Sequence, residues 1–285
     1  ILAFIECNTS ADPLWLRRGA AHFARPTVGG VEGLLACADN EQPPQACRHL
    51  NPWGRSYNLA NMFYRKEVFD QLGGFDPRYY ESQTDLSSGG DVEFAFRAIE
   101  ANWEIPFAPE LVCTQTPEEI SWRQVTHLAC SSYFDPLLKK QHPGMFRLEA
   151  SLTKWHGLTG RHARQRCYKF SAALFPSAAI AAMVGWPWIA AGLAGAFAVS
   201  FACTFFCHAN DTKQSARGLF SALPACFAAP YVYIYHVVRG KIRFCGEPAA
   251  YASMPGEEVL RIEETSVDTQ PLDEASIEEA RTIGS

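Results

Sequence analysis

Polar side chains directly follow the first apolar segment of this chain. Residues 1–5 form a continuous apolar run, and Glu6, Cys7, Asn8 and Thr9 come next. Such a run is typical of a parallel strand that is covered on both faces. In α/β proteins, the carboxyl ends of parallel strands form the edge at which ligands bind. The sequence therefore predicts a buried parallel strand over 1–5 and a ligand-binding edge that begins at Glu6.

A second carboxylate stands at the start of a predicted helix. Asp91 follows Gly89-Gly90 and opens the segment 91–101, whose apolar residues recur at near-helical spacing. The helix dipole favours the ionised form of a carboxylate in the first turn. From the pattern alone, Asp91 is explained as the cap of this helix.

The polar residues after the first strand and the Asp91 carboxylate are both positioned by a predicted framework in which strands alternate with helices. The pattern predicts, in order, a helix from Asp12-Pro13 toward Phe23, a strand over 27–35, a surface loop over 38–58, a short helix over 65–72 that Gly73-Gly74 ends, a helix over 91–101 and a strand over 105–113. From Ser121 the chain is mostly helical. This alternation favours an α/β layer fold.

The charge of the chain excludes some classes of function. The 285 residues contain 25 Lys and Arg against 30 Asp and Glu, a net charge of −5, which argues against a nucleic-acid-binding protein. Residues 246–285 carry ten acidic and two basic groups, so we predict a disordered acidic tail there. The ten cysteines include no Cys-x-x-Cys pair, so neither a zinc ribbon nor a disulfide framework is indicated.

An uncharged segment of bilayer length predicts a membrane anchor. Residues 170–210 contain no Asp, Glu, Lys or Arg, and Gly185-Trp-Pro-Trp188 lies at the centre. Since a helix of about 20 residues crosses the hydrocarbon core, we expect a transmembrane helical hairpin over 170–207. The preceding segment, 146–169, is predicted as a basic juxtamembrane helix, which places the N-terminal domain on the cytoplasmic side.

A third apolar segment, 219–238, has an ambiguous topology. It is followed by a basic cluster at Arg239, Lys241 and Arg243. A full crossing would leave this cluster outside, against the positive-inside trend, so an interfacial or re-entrant segment is favoured.

Four segments in register over residues 1–145 resemble the C-terminal half of the catalytic domain of glycosyltransferase family 2, whose fold is called GT-A. They are Glu6-Cys7-Asn8 followed by Asp12-Pro13-Leu14-Trp15-Leu16, Asn61 to Phe69 with Arg65-Lys66, Leu72-Gly73-Gly74-Phe75-Asp76, and Gly89-Gly90-Asp91-Val92-Glu93 with Arg97. The resemblance implies a partial GT-A domain, Rossmann-like in its α/β layers and N-terminally incomplete, which is followed by transmembrane helices and the disordered tail.

The resemblance assigns roles to several of these residues. Asp91 stands at the position of the base of an inverting displacement. Glu6 and Asn8 stand at the Asp-x-Asp position, which holds a divalent cation, Mg²⁺ or Mn²⁺, against the diphosphate of the donor. A neutral amide at Asn8 weakens that site. Two further departures are Gly90, where the family has an acidic residue, and Gln115, where it often has a histidine.

Two other residues are expected to shape the cleft, and a third is expected to support the helix of the proposed base. The resemblance implies that Asn61 and Arg65 help to bind the nucleotide sugar and that Arg97 braces the helix that carries Asp91.

The resulting hypothesis is a membrane-anchored inverting glycosyltransferase with a nucleotide-sugar donor and a lipid-linked or envelope glycan acceptor. The departures at Asn8, Gly90 and Gln115 motivate an alternative, a catalytically degenerate GT-A module that binds a sugar or a partner at the membrane.

Overall fold

The structure is a computed structural model. It describes residues 1–37, 48–49, 51, 54–116, 122–152, 161–210 and 216–247. All of them belong to one compact unit, Ile1–Ala250. The predicted acidic tail, apart from residues 246 and 247, lies outside the described residues, as does most of the predicted loop over 38–58.

A mixed β-sheet forms the centre of the N-terminal part. Its strands are β1 (Leu2–Phe4), β2 (Thr9–Ala11), β3 (Gly30–Cys37), β4 (Arg48–His49), β5 (Met62–Tyr64) and β8 (Phe107–Gln115), and a separate hairpin consists of β6 (Tyr80–Glu81) and β7 (Leu86–Ser87). Five strands have the order β1-β5-β3-β8-β2, and β4 pairs with β3. The β3 and β8 strands are parallel, whereas the other pairs are antiparallel.

The prediction of a buried parallel strand over residues 1–5 is wrong both about the direction of its pairing and about its burial. β1 pairs antiparallel with β5, with Leu2 opposite Tyr64. It lies at the end of the sheet, and Ile1 and Ile5 are 55% and 42% exposed. The apolar run is misleading because Leu2 and Phe4 are half-buried, while the alternate residues face outward.

The helices follow the predicted order closely. They are α1 (Trp15–Ala21), α2 (Lys66–Gln71), α3 (Gly90–Glu100), α4 (Trp122–Cys130), α5 (Asp135–Gln141), α6 (Pro143–Leu152), α7 (Arg161–Met183), α8 (Pro187–Asn210) and α9 (Ala216–Arg243). Gly73 and Gly74 have positive φ, as the predicted end of α2 requires. The predicted juxtamembrane helix, 146–169, is divided between α6 and α7, and residues 153–160 lie outside the described residues.

Apolar side chains cover both faces of the sheet. In β5, Met62 and Tyr64 join the cluster that contains Phe94 of α3, while Phe63 joins the opposite cluster with Trp15 of α1. Alternate residues of a strand point to opposite faces, so β5 is buried from both sides. The α/β class that the sequence predicts is therefore confirmed.

The uncharged segment forms a helical hairpin. α7 and α8 are joined by a turn at residues 184–186, in which Gly185 has a φ of +81°. Among the described residues, Pro187–Phe206 of α8 is the one stretch long and apolar enough to cross a membrane, and 6% of it is buried. Insertion of both helices into a membrane stays a prediction.

α9 packs against the N-terminal part. Its residues Ala222 and Ala229 form a buried cluster with Val125 and Ala129 of α4. Farther along, a Cβ atom at Gly240 would collide with the backbone oxygen of Tyr133, so only glycine allows this close approach. The N-terminal part therefore covers one face of α9, which contains the third apolar segment, and the interfacial or re-entrant position of that segment stays a prediction.

Candidate functional site

Three polar side chains meet at one edge of the sheet. Glu6 follows β1, Asn8 precedes β2, and Gln115 ends β8. The antiparallel pairing of β2 with β8 places Thr9 opposite Gln115 and so brings these three positions together. Gln115 Nε2 donates to Glu6 Oε2 at 2.9 Å and to Asn8 Oδ1 at 3.3 Å. We call Glu6, Asn8 and Gln115 the edge cluster.

The edge cluster is open to solvent. Glu6 and the neighbouring Cys7 are exposed, and Asn8 is half-buried. A tight turn, in which the backbone N–H of Thr9 donates to the oxygen of Glu6 at 3.1 Å, holds the two acceptor side chains near each other. A ligand can therefore reach the carboxylate and amide oxygens without any rearrangement of the core.

The edge cluster, with Gln115 in its place, is a poor match for a resident cation site. The Gln115 amide N–H occupies the place between the Glu6 and Asn8 oxygens where a cation would need to lie, and Glu6 is the single carboxylate of the cluster. Within the described ranges, no group of three or more His, Cys, Asp or Glu side chains could hold a metal ion. Hard divalent cations prefer carboxylates.

Asp91 lies at the start of α3. The preceding Gly89 has a φ of +83°, a left-handed conformation that favours glycine, and it turns the chain into the helix. Asp91 Oδ1 accepts a hydrogen bond from the backbone N–H of Val92 at 2.9 Å, and the side chain is half-buried. The helix N-terminus favours the ionised carboxylate.

A buried tyrosine that the sequence analysis missed lies near enough to Asp91 to be affected by its charge. Tyr64 is fully buried, and its hydroxyl has no hydrogen-bond partner among the described residues. Burial, with the negative charges of Asp91 and Glu32 nearby, raises the pKa of this phenol well above its usual value. The ring packs against Phe94, 4.8 Å away and one turn along α3 from Asp91. Tyr64 stands between Phe63 and Arg65 in the sequence, and no pattern there indicates a buried hydroxyl group.

Arg97 fixes the helix that carries Asp91, as the sequence predicts. Its guanidinium donates to both carboxylate oxygens of Glu93, at 2.9 and 2.7 Å. It also donates to the backbone oxygens of Leu72 and Gly74, in the turn that follows α2. α3 is thereby joined to this turn, so two of the four segments in the resemblance are in direct contact.

His142 completes a buried network behind α3. Its Nδ1 lies 2.6 Å from Glu100 Oε2, and its Nε2 lies 3.5 Å from Glu93 Oε1. Burial alone would lower the pKa of His142, but the hydrogen bond to Glu100 and the negative charges of Glu100 and Glu93 outweigh this effect and raise it. We call Glu93, Arg97, Glu100 and His142 the buried network, of which the Glu100 side chain, 42% exposed, is the outer member.

Asn61 and Arg65 flank β5, directly before and directly after it, and do not join the edge cluster. Asn61 is buried, accepts a hydrogen bond from Trp15 Nε1 at 2.8 Å, and donates to the backbone oxygens of Leu34 and Leu111. Arg65 donates to three backbone oxygens in the segment 23–28. These contacts hold the fold together, and a part in ligand binding stays a prediction.

A second buried carboxylate organises the loop before β5. Glu32 of β3 is 2% exposed and accepts hydrogen bonds from Asn51 Nδ2 and from the backbone N–H groups of Arg55, Ser56 and Tyr57. Arg55 and Tyr57 have positive φ, a strained conformation that this ring of donors stabilises. Glu32 therefore has a structural role.

No known protein family, curated protein or solved structure matches this chain. The chemistry of the described side chains must therefore carry any functional conclusion. They provide an exposed edge cluster with acceptor oxygens and a helix-borne carboxylate, Asp91, that the buried network holds in place.

Proposed function

We propose that residues 1–145 of this chain are the acceptor-side half of the GT-A domain of a membrane-anchored inverting glycosyltransferase of family 2. It would move a sugar from a nucleotide-sugar donor to a hydroxyl group. The observation that carries the proposal is the edge cluster, because Glu6, Asn8 and Gln115 are positions at which the resemblance expects donor or metal contacts. The hydrogen bond between Gln115 and Glu6 spans 109 residues of sequence.

Asp91 is the proposed base. The acceptor oxygen attacks the anomeric carbon of the donor, the new C–O bond forms, and the bond from that carbon to the diphosphate breaks. Asp91 takes the proton of the acceptor hydroxyl, and the nucleoside diphosphate leaves with the electron pair. The helix N-terminus supports this role by favouring the ionised carboxylate, and Arg97 supports it by fixing α3.

The edge cluster is proposed to contact the polar part of the donor. Glu6 can accept hydrogen bonds from ribose hydroxyls, and the amides of Asn8 and Gln115 can donate to phosphate oxygens. The role of Glu6 and Asn8 as ligands of Mg²⁺ or Mn²⁺ stays a prediction.

A membrane location is part of the proposal. The apolar stretch of α8 is almost entirely unburied, which is unlike the core helix of a soluble protein. Exposed aromatic residues, Trp186 and Trp188, lie at the turn of the α7–α8 hairpin, as is typical of a membrane interface. An enzyme anchored in this way, with its domain on the cytoplasmic side, would meet a lipid-linked or envelope glycan acceptor.

One observation favours the alternative of a degenerate binding module. The edge cluster contains a single carboxylate, and Gln115 places an amide N–H between the oxygens that would hold a cation. A module of this kind would bind a sugar or a partner without transferring anything.

A measurement of sugar transfer in membranes that contain the full-length protein distinguishes the enzyme from the binding module. A panel of nucleotide sugars is tested with Mg²⁺, with Mn²⁺ and with a chelator, for the wild type and for Asp91→Asn. Removal of a general base lowers rates by roughly 10²- to 10⁴-fold. Asp70→Asn, at an exposed position of α2, is the matched control and should keep wild-type activity.

Transfer that persists in Asp91→Asn would contradict the assignment of the base. Nucleotide-sugar binding without transfer from any donor would favour the degenerate module. A loss of transfer in the chelator that Mg²⁺ restores would support the predicted cation.

A further inference from the structure

The β6–β7 hairpin stands apart from the main sheet. Its two short strands form a sheet of their own, in which Glu81 lies opposite Leu86. Residues 82–85, at the turn, are exposed, and Leu86 is the one residue from 80 to 87 that is buried. An isolated two-stranded hairpin is marginally stable in water. This hairpin therefore depends on its contacts with neighbouring elements to stay in place.

Open space borders the hairpin on two sides. A groove of about 860 Å³ lies between residues 80–83 and the end of α9. A smaller cavity of about 200 Å³ lies between residues 84–86 and α4. The hairpin therefore has room to move unless side chains tie it to α9 or to the segment beside α4.

The Glu81 carboxylate provides such a tie. Its Oε1 accepts hydrogen bonds from Arg239 Nη2 of α9 at 2.7 Å and from Tyr133 Oη at 3.2 Å. Its Oε2 accepts a hydrogen bond from Thr84 Oγ1 at 2.5 Å. The bond from Thr84 closes the turn of the hairpin, whereas the other two leave the hairpin. We call the contact of Glu81 with Arg239 and Tyr133 the latch.

The latch is partly shielded from solvent. The side chains of Glu81 and Arg239 are 18% and 29% exposed, and the guanidinium carbon lies 4.9 Å from the centre of the buried Tyr133 ring. Burial alone would raise the pKa of Glu81, but the hydrogen bond from Thr84 and the charge of Arg239 outweigh this effect and lower it. Fully exposed ion pairs contribute little to stability, whereas a shielded guanidinium that lies over an aromatic ring contributes more.

The hairpin leads directly into the helix of the proposed base. The backbone N–H of Ser88 donates to the oxygen of Tyr79 at 3.3 Å, which joins the two ends of the hairpin. Gly89, with its left-handed φ of +83°, then turns the chain into α3, and its oxygen accepts from the N–H of Glu93 at 2.9 Å. The first turn of α3, with Asp91, is therefore attached to the end of the hairpin.

We propose that the latch holds the first turn of α3 in place through the hairpin, so that Glu81 and Arg239 are positioning residues for Asp91. The proposal deepens the proposed function and rests on it for the role of Asp91. α9 also packs on α8, the candidate span, through Phe227 and Phe197, whose rings are 5.8 Å apart. The latch thereby connects the helices of the proposed membrane anchor to the segment that precedes the base.

Amide hydrogen exchange of the full chain, purified in dodecyl maltoside, tests the latch without any need for activity. Arg239→Gln should accelerate exchange of the Thr84 and Ser88 amides, which bond to backbone oxygens in the hairpin, about tenfold. This is the change that loss of one charge-assisted hydrogen bond predicts. Exchange of the Glu93 amide should rise as well, and the amides of β5 should exchange as in the wild type, which shows that the variant is folded.

Arg243→Gln is the matched control. Arg243 stands one turn along α9 from Arg239, its side chain is 63% exposed, and its Nη1 lies 3.9 Å from Glu247 Oε1, beyond hydrogen-bond distance. This variant removes a cation from the same helix and leaves the latch intact. Its exchange and its rate of sugar transfer should both match the wild type.

Sugar transfer in membranes that contain the full-length protein tests the positioning of Asp91. A base that is displaced by about 1 Å can cost roughly 10²-fold in rate. Glu81→Gln and Arg239→Gln should each lower kcat by about 10- to 10²-fold and leave the KM of the donor unchanged, because the edge cluster is not altered. The double variant should be no slower than either single variant, since all three lose the same contact.

Three results would contradict parts of this account, and they are distinct. Unchanged exchange of the Thr84 and Ser88 amides in Arg239→Gln would overturn the latch. Faster exchange with an unchanged kcat would overturn the positioning of Asp91 and leave the proposed function intact. Absence of transfer by the wild type from every donor would reject the proposed function and the positioning of a base, while faster exchange in Arg239→Gln would still show the latch as a structural contact.

Discussion

The edge cluster and the buried network use the same types of side chain in opposite surroundings. Glu93 is fully buried, and both of its oxygens accept hydrogen bonds from Arg97. Glu6 is exposed, and one of its oxygens accepts a hydrogen bond from the neutral amide of Gln115. A buried carboxylate that is paired with a buried cation stabilises the fold, whereas an exposed carboxylate is available to bind a ligand. Burial and hydrogen-bond partners, more than residue type, therefore distinguish the carboxylates that stabilise this fold from those that can bind a ligand.

The largest expected effect is that of Glu93→Ala. The variant leaves the Arg97 guanidinium, whose side chain is 12% exposed, without its carboxylate partner. Removal of one member of a buried ion pair costs about 3 to 5 kcal/mol. The free energy of unfolding, measured by denaturant titration of the purified full chain, should fall by this amount.

Glu67→Ala is the matched control for that measurement. Glu67 is exposed on α2, so its removal should change the free energy of unfolding by less than about 0.5 kcal/mol. A cost below about 1 kcal/mol for Glu93→Ala would show that the buried network does not stabilise the fold in the way we describe.

A smaller effect is expected from pH, through His142. Its hydrogen bond to Glu100 and the negative charges of Glu100 and Glu93 raise its pKa in the folded state above the ordinary value of 6.5. Protonation therefore favours the folded state. This contribution is fully present below pH 6.5 and is lost as the pH rises through the raised folded value.

His142→Gln removes the titrating group and keeps a side chain that can bond to Glu100. The stability difference between the wild type and this variant should shrink as the pH rises from 6 to 9, as followed by denaturant titration at each pH. A difference that grows over this range would mean that the histidine is neutral in the folded protein.

The sequence predicts most of the helices because their signals are local. The glycine pair after α2 acts within one turn of the chain and is confirmed. The Asp12-Pro13 signal is correct to within two residues, since α1 begins at Trp15 with Leu14 at its N-cap. The partners of the strands are not local. The pairing of β1 with β5 depends on residues about 60 positions apart, and nothing within 1–5 distinguishes an end strand from a central one.

The sequence predicts the candidate site only through the family resemblance, which singles out Glu6, Asn8, Asp91 and Gln115. Spacing alone does not bring Gln115 to Glu6, since the contact depends on the register of β2 against β8. The sequence indicates no role for Glu32 or Tyr64, because the burial and the neighbours of both side chains depend on the fold. The partners of Glu32 come 19 to 25 residues later, and no pattern in β3 points to them.

The smallest expected effect on stability is that of Glu6→Ala. Glu6 is exposed, and its bond to Gln115 exchanges readily with water, so the free energy of unfolding should change by less than about 0.5 kcal/mol. The same variant should weaken the binding of the nucleotide-sugar donor, which a titration of the full-length protein would measure. If Glu6→Ala instead destabilised the chain as much as Glu93→Ala does, the edge cluster would have a role in stabilising the fold. The distinction between the two groups of carboxylates would then fail, because exposure would no longer indicate availability to a ligand.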